Sequence, residues 1–284
     1  MTLRIAWFAT AKGTSSKLLF ESTQAAIVAG RLDAEIVVVF CNRDRGQSAN
    51  TDAFLAAVTA AEIPLIIISS GAWRKRVDGA LSAPGGALAP WRQDFDRAVV
   101  QALGPYRPEV GVLAGYMLVT TAPLCEQLPL LNLHPAEPGG PVGTWQEVIQ
   151  ALIASGATRS GLMMQRVTTD LDRGPIVSFC SYAILGGELD ALWAGVAVAG
   201  DPKAVDSATG LFQAIRAEGV RREPAFIEAS LQALAALPGV ALPGVGLSGR
   251  GERGLREVGL GVDVTADVER VVEARRRAGD SMGG

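Results

Sequence analysis

Histidine is nearly absent from this chain: its 284 residues contain one, His134, together with three cysteines, Cys41, Cys125 and Cys180. An odd number of thiols with no close pair excludes a disulfide framework and a zinc ribbon. Three reduced and mostly buried thiols are the expectation. With one imidazole and scattered cysteines there is no ligand set for a metal, so none is expected. A surplus of positive charge is also missing, since 26 Lys and Arg stand against 29 Asp and Glu for a net charge of −3. A nucleic-acid partner would require the opposite balance. No apolar run reaches bilayer length, and Ile36–Phe40 is only strand-sized. Met1–Ile5 shows no basic stretch leading into a long apolar one, as a secretion signal would. These absences point to a cytoplasmic protein with no membrane partner. The 33 glycines and 15 prolines follow no three-residue period, and 49 % of the residues are hydrophobic, which supplies a sizeable core and excludes a disordered or collagen-like chain.

What is present alternates. Ile5–Ala9, Ile36–Cys41, Leu65–Ile68 and Val110–Ala114 are rich in Val, Ile and Leu. Such runs read as strands buried on both faces, as in a parallel sheet. Between them Ser16–Ala29, Asp52–Ala61 and Trp91–Leu103 read as helices. Strand followed by helix implies right-handed crossovers and an α/β fold: a Rossmann-like, doubly wound, mostly parallel sheet. Ligands in such sheets bind beyond the carboxyl ends of the strands, so the residues after each strand carry the functional reading.

The first strand leads into Thr10-Ala11-Lys12-Gly13-Thr14-Ser15-Ser16. A glycine with hydroxyls at a helix start suits an anion, and equally suits an ordinary turn with a Ser or Thr cap. The second strand ends in Cys41-Asn42-Arg43-Asp44, where the lack of a terminal acidic residue weakens a dinucleotide reading. Arg74–Pro90 reads as a solvated basic loop.

Leu130–Leu133 reads as a short strand that runs into His134-Pro135. Asn132 and His134 are two residues apart, so a strand aims both to one side. An imidazole titrates near neutrality and can exchange protons there, which makes His134 a catalytic candidate. The following loop, Pro135–Gly143, holds three prolines and three glycines. Thr144-Trp145-Gln146-Glu147 matches a capping box for a helix over Trp145–Ala154. Gly161–Val167 and Ile176–Ala183 read as strands around the polar loop Thr168–Pro175. Ala204–Ala217 and Glu223–Leu237 read as two helices. Residues 238–261 read as a linker, followed by a short strand and terminal helix over Asp263–Arg277. The domain division expected is therefore 1–237 for the α/β domain and 238–284 for a helical and irregular extension.

Three motifs together, Val112-Leu113-Ala114-Gly115-Tyr116-Met117, Asn132-Leu133-His134-Pro135 and Leu171-Asp172-Arg173-Gly174-Pro175, resemble those of the folate-dependent formyltransferases in order and separation. The likeness is greatest to the glycinamide ribonucleotide transformylase branch and runs from Arg4 to about Pro175. It implies the formyltransferase fold and transfer of a formyl group from 10-formyltetrahydrofolate to a primary amine that carries a phosphate. It further implies that Asn132, His134 and Asp172 are catalytic. Arg92, Leu113, Met117, Thr168, Thr169 and Asp170 would hold the folate, and Lys12, Gly13, Thr14 and Ser15 the acceptor's phosphate.

The sequence departs from the family pattern in places. Ala11 and Lys12 stand where a second glycine is usual, Leu118 replaces an arginine, Gln165 replaces a histidine, and Ala136-Glu137-Pro138-Gly139-Gly140 replaces a Ser-Leu-Leu-Pro loop. These changes surround the acceptor, so three other readings stay open. One is a formyltetrahydrofolate deformylase. Another is an amino-sugar nucleotide N-formyltransferase, with Trp7 and Trp73 as candidates to stack a base. The third is a non-catalytic folate-binding module. A homodimer is permitted by the sequence and not specified by it.

Overall fold

The structure, a computed structural model, describes residues 2–81, 87–169, 173–199, 209–236 and 261–280. The described residues of 1–132, 166–175 and 234–259 form one compact unit, and the described residues of 133–165, 176–233 and 260–284 form another.

The first unit is built on strands β1 (Leu3–Ala9), β2 (Ala34–Cys41), β3 (Leu65–Ile67), β4 (Val110–Leu113) and the start of β5 (Leu130–His134). Their order is β3-β2-β1-β4-β5, and every pairing is parallel. Helices α1 (Ser15–Val28), α2 (Ala49–Ala60), α3 (Ser70–Arg76), α4 (Trp91–Leu103) and α5 (Ala122–Gln127) form the connections. The central strands are buried along nearly their whole length, because helices cover both faces of a parallel sheet. The apolar runs in the sequence follow from that burial. Phe8, Phe40, Phe95 and Tyr116 lie in one buried core. Phe8 stands 5.5 Å from Phe40 and 5.7 Å from Tyr116 between ring centres, tilted or edge-on. Truncating one of these buried phenylalanines to alanine costs about 3–5 kcal/mol.

In the second unit, β6 (Arg159–Arg166) and β7 (Ile176–Ala183) pair antiparallel, and β8 (Val262–Asp263) joins β7 in parallel. Around them lie α6 (Trp145–Ala154), α7 (Glu188–Ala199), α8 (Gly210–Ala236) and α9 (Thr265–Asp280). The Trp145 ring packs at 5.9 Å on Phe212, and the Arg216 guanidinium lies 4.8 Å from the Trp145 ring centre. Arg222 joins α8 to α9 through Glu269 at 2.6 Å and lies over the Tyr182 ring at 4.3 Å.

The strand and helix expectations hold with shifts of one to three residues at the ends. Trp91–Leu103, Trp145–Ala154 and Ile176–Ala183 keep their expected bounds. Three corrections are needed. The two helices expected over Ala204–Ala217 and Glu223–Leu237 are one helix within the described residues, α8, which continues through Pro224. An internal proline costs roughly 3 kcal/mol. Burial of Phe212, Ile215, Phe226, Ile227 and Leu231 on both sides of it offsets that cost. Arg74–Arg76, read as loop, form the last turn of α3, where Ser69 accepts the Ala72 N–H at 3.2 Å. Helices α5 and α7 had no counterpart in the sequence reading. The linker expected over 238–261 lies outside the described residues except for Gly261. The three thiols are free cysteines, two buried and one half-buried. Among the described residues no helix is long and apolar enough to cross a membrane.

Candidate functional site

The parallel order of the first unit brings the carboxyl ends of β1 and β4, with Asn132 of β5, to one edge of its sheet. β1 leads into the loop Thr10–Thr14 and α1. Lys12, Gly13 and Thr14 are exposed and Ser15 is half-buried. A Cβ at Gly13 would meet nothing within 4 Å. Thr14 precedes α1 without capping it through its side chain, so the N–H groups of the first turn keep their capacity for an anion. The loop is held from behind, since Thr51 Oγ1 donates to the Ala11 carbonyl at 3.1 Å and Asn50 Nδ2 to that of Lys12 at 3.1 Å. Ala11 takes a left-handed conformation, with φ of 51°. This is the stretch where the family pattern has a further glycine.

β4 ends at Leu113, which is buried, and the chain turns through Gly115, whose φ is 72°. Two bonds fix this turn to the end of β1: Thr10 N–H donates to the Gly115 carbonyl at 3.1 Å, and Met117 N–H donates to Thr10 Oγ1 at 2.7 Å. Met117 is left 58 % exposed beside this framework, an apolar side chain facing solvent. Tyr116 turns the other way, into the aromatic core, where burial drives its phenol well above the usual range.

β5 carries both Asn132 and His134. Asn132 is half-buried and pairs in register with Leu113. His134, in the second unit, is 2 % exposed, and its Nε2 lies 3.1 Å from the Pro141 carbonyl oxygen. A carbonyl oxygen only accepts, so Nε2 carries the proton in this bond and Nδ1 is the nitrogen left for chemistry. The loop between them is tied elsewhere in the same unit, with Ser181 Oγ donating to Glu137 Oε2 at 2.7 Å. The capping box expected from the sequence is present: Glu147 Oε2 accepts from the Thr144 N–H at 2.7 Å and from the Thr144 hydroxyl at 2.8 Å. Those bonds lower the Glu147 pKa.

The polar loop after β6 starts and ends together. Arg166 N–H donates to the Pro175 carbonyl at 2.9 Å, and Val167 N–H donates to the Leu130 carbonyl at 2.8 Å. Thr168 is half-buried and Thr169 exposed. Asp170 and Asp172, expected in the folate and catalytic sets, lie outside the described residues.

Arg92, expected among the residues that hold the folate, is 5 % exposed, and its Nη2 donates to the Val119 carbonyl at 2.5 Å. Glu218 and Arg222 on α8 are paired with each other. Trp7, a candidate for base stacking, is fully buried and has no free face. Asn42 at the end of β2 is buried against Ser70, with Nδ2 donating to Ser70 Oγ at 3.3 Å. Thr10 and the Pro141 carbonyl were not among the sequence candidates. A threonine at a strand end and a proline carbonyl carry no pattern of their own. Among the described residues no group of three or more His, Cys, Asp or Glu is placed to hold a metal ion.

A protein-family model described as formyl transferase matches residues 3–190. The phosphoribosylglycinamide formyltransferase of Escherichia coli (strain K12) is 27 % identical over 103 residues, which covers 34 % of this chain and 46 % of that protein. The chain thus aligns with about half the length of this curated relative. Glycinamide ribonucleotide transformylase 1 from Symbiobacterium toebii superposes with a TM-score of 0.58 at 19 % identity, over 82 % of this chain and 88 % of that one. A formyltetrahydrofolate deformylase from Pseudomonas putida KT2440 superposes with a TM-score of 0.53 at 16 % identity, over 82 % of this chain and 64 % of that one. At these identities the superpositions establish a common fold.

Proposed function

Because the chain belongs to the formyl transferase family of enzymes, we propose that it transfers a formyl group from 10-formyltetrahydrofolate to a small primary amine, glycinamide ribonucleotide or a related phosphorylated amine. The observation that carries this reading is the position of the sole histidine: buried at the end of β5, one ring nitrogen bonded to a backbone carbonyl, two residues beyond Asn132. A ring held in this way presents a defined nitrogen, as an acid or base in a reaction must.

The donor supplies an activated one-carbon unit for the amine to attack. A new C–N bond forms to the amine, the bond to the folate nitrogen breaks, and the proton lost by the amine ends on that folate nitrogen. Asn132 donates a hydrogen bond to the formyl oxygen as it gains charge. Protonated His134 adds a second, charged donor through Nδ1. Removing one such donor costs about 2.7–4 kcal/mol of transition-state stabilisation. Asp172 carries the amine's proton, directly or through a water. Met117 and Leu113 offer the apolar wall for the donor's ring system, with Thr168, Thr169 and Asp170 at its border. The exposed residues Lys12 to Thr14 and the uncapped start of α1 at Ser15 suit the phosphate, to which Lys12 adds a positive charge. Arg92 belongs to the folate set through its hold on Val119.

The test is a screen of acceptors with tetrahydrofolate release as the readout. Glycinamide ribonucleotide is expected to raise release at least about tenfold over a reaction without amine. Equal release in both arms would assign the chain to the hydrolases, whose deformylase members share the fold. Stimulation by nucleotide amino sugars alone would move the acceptor class. Folate binding without release in any arm would favour a binding module.

A further inference from the structure

Helix α4 spends two side chains on the irregular segment that follows β4. Asp96 is fully buried, and its Oδ2 accepts both the Thr121 N–H at 2.6 Å and the Thr121 hydroxyl at 2.7 Å. One turn earlier, Arg92 donates to the Val119 carbonyl. At the other end of the segment Thr10 holds Gly115 and Met117. The stretch from Gly115 to Thr121 is therefore clamped at both ends, and the Met117 side chain stands exposed at the first clamp.

Three features set the Asp96 clamp apart from routine packing. Thr121 immediately precedes α5 and would ordinarily cap it, yet its side chain makes no capping bond; the hydroxyl goes to Asp96 instead. A buried carboxylate is costly unless its partners repay the lost hydration. Here the surroundings are Arg92 on the same helix, Tyr116 from the segment itself and the two donors of Thr121, with Oδ1 making no hydrogen bond among the described residues. Finally, the two bonds fall at the end of the segment that β4 does not hold, where an irregular backbone has no ladder of its own.

We propose that Asp96 is a positioning residue that fixes the Gly115–Thr121 segment in the shape that receives the formyl donor. This rests on the functional reading above, in which Leu113 and Met117 line the donor's ring system. Asp96 acts through Thr121 and does not touch the reacting atoms. Its effect falls mainly on the donor, because the phosphate loop keeps its own ties to Asn50 and Thr51.

The experiment compares Asp96→Ala, Asp96→Asn and Thr121→Val with the wild type by steady-state kinetics and by amide hydrogen exchange. Asp96→Ala is expected to raise KM for 10-formyltetrahydrofolate at least about tenfold, with KM for the amine within about twofold. Asp96→Asn keeps an oxygen for both Thr121 bonds and is expected to restore the donor KM to within about threefold. Exchange at Met117 and Thr121, whose N–H groups are hydrogen-bonded, should speed up in the alanine variant and be unchanged from the wild type at Lys12–Ser15. Equal shifts in both KM values, or an asparagine variant as impaired as alanine, would overturn the proposal. Should Asp96→Ala fail to fold, Thr121→Val removes only the hydroxyl, and an unchanged donor KM with unchanged exchange would also overturn it. A wild type without turnover would remove the functional reading; the exchange data, which need no turnover, would still decide whether Asp96 sets this segment.

Discussion

Gly174 lies so close to the Arg166 carbonyl that a Cβ on it would collide with that backbone oxygen. The two residues sit at opposite ends of the polar loop after β6, next to the Arg166–Pro175 hydrogen bond that closes it. A backbone obstacle cannot rotate aside, so Gly174→Ala must shift the loop. The expected cost is about 1–3 kcal/mol in urea denaturation. Formyl transfer should fall at least about tenfold, because a misplacement of about 1 Å in a catalytic group costs on the order of a hundredfold. Wild-type stability in this variant would show that the loop has room the structure denies.

Ala11 carries a Cβ in a left-handed conformation, which costs an L-residue roughly 1–2 kcal/mol. Ala11→Gly removes that strain and adds unfolded-chain entropy of about 0.4–1 kcal/mol. The net expectation is stability equal to the wild type or up to about 1 kcal/mol higher. Ala11→Val, with a β-branched side chain at a fully buried site, should lose at least about 2 kcal/mol. Chemical denaturation of the pair checks the sign of each.

The capping box on α6 predicts a pH dependence. Bonds from the Thr144 N–H and hydroxyl hold the Glu147 pKa below its unfolded value. A depressed folded pKa contributes stability that is present above the unfolded pKa and is lost as pH falls through the folded one. The melting temperature of Glu147→Gln should therefore match that of the wild type at acidic pH and fall below it toward neutrality. Thr144→Ala should cost about 1 kcal/mol as a lost helix cap. Melting curves between about pH 3 and 7 span the carboxylate's titration. Parallel curves for the wild type and Glu147→Gln would contradict the expected linkage.

Much of the architecture was legible because burial wrote it into the sequence. β1, β2 and β4 are apolar on both faces, and α6 announces its start with Thr144 and Glu147. Less was legible where packing overrides local preference. Pro224 argues locally for a helix end, while the apolar residues flanking it keep α8 continuous. Helix α3 has no fully buried residue, and its contact with the core comes from Trp73, too little for a periodic signal. At the site, Asn132 and His134 could be paired by strand alternation alone. The bracing of Met117 by Thr10, and of His134 by the Pro141 carbonyl, depends on chain segments that spacing does not connect.

The account depends most on His134. The direct measurement is tetrahydrofolate release by the wild type and by His134→Asn, with 10-formyltetrahydrofolate as donor and glycinamide ribonucleotide as acceptor, alongside thermal melting of both. The account predicts acceptor-dependent release by the wild type and a loss of at least about a hundredfold in the variant, with melting of the folded chain preserved. A variant that keeps its fold and turns over within about threefold of the wild type would contradict it.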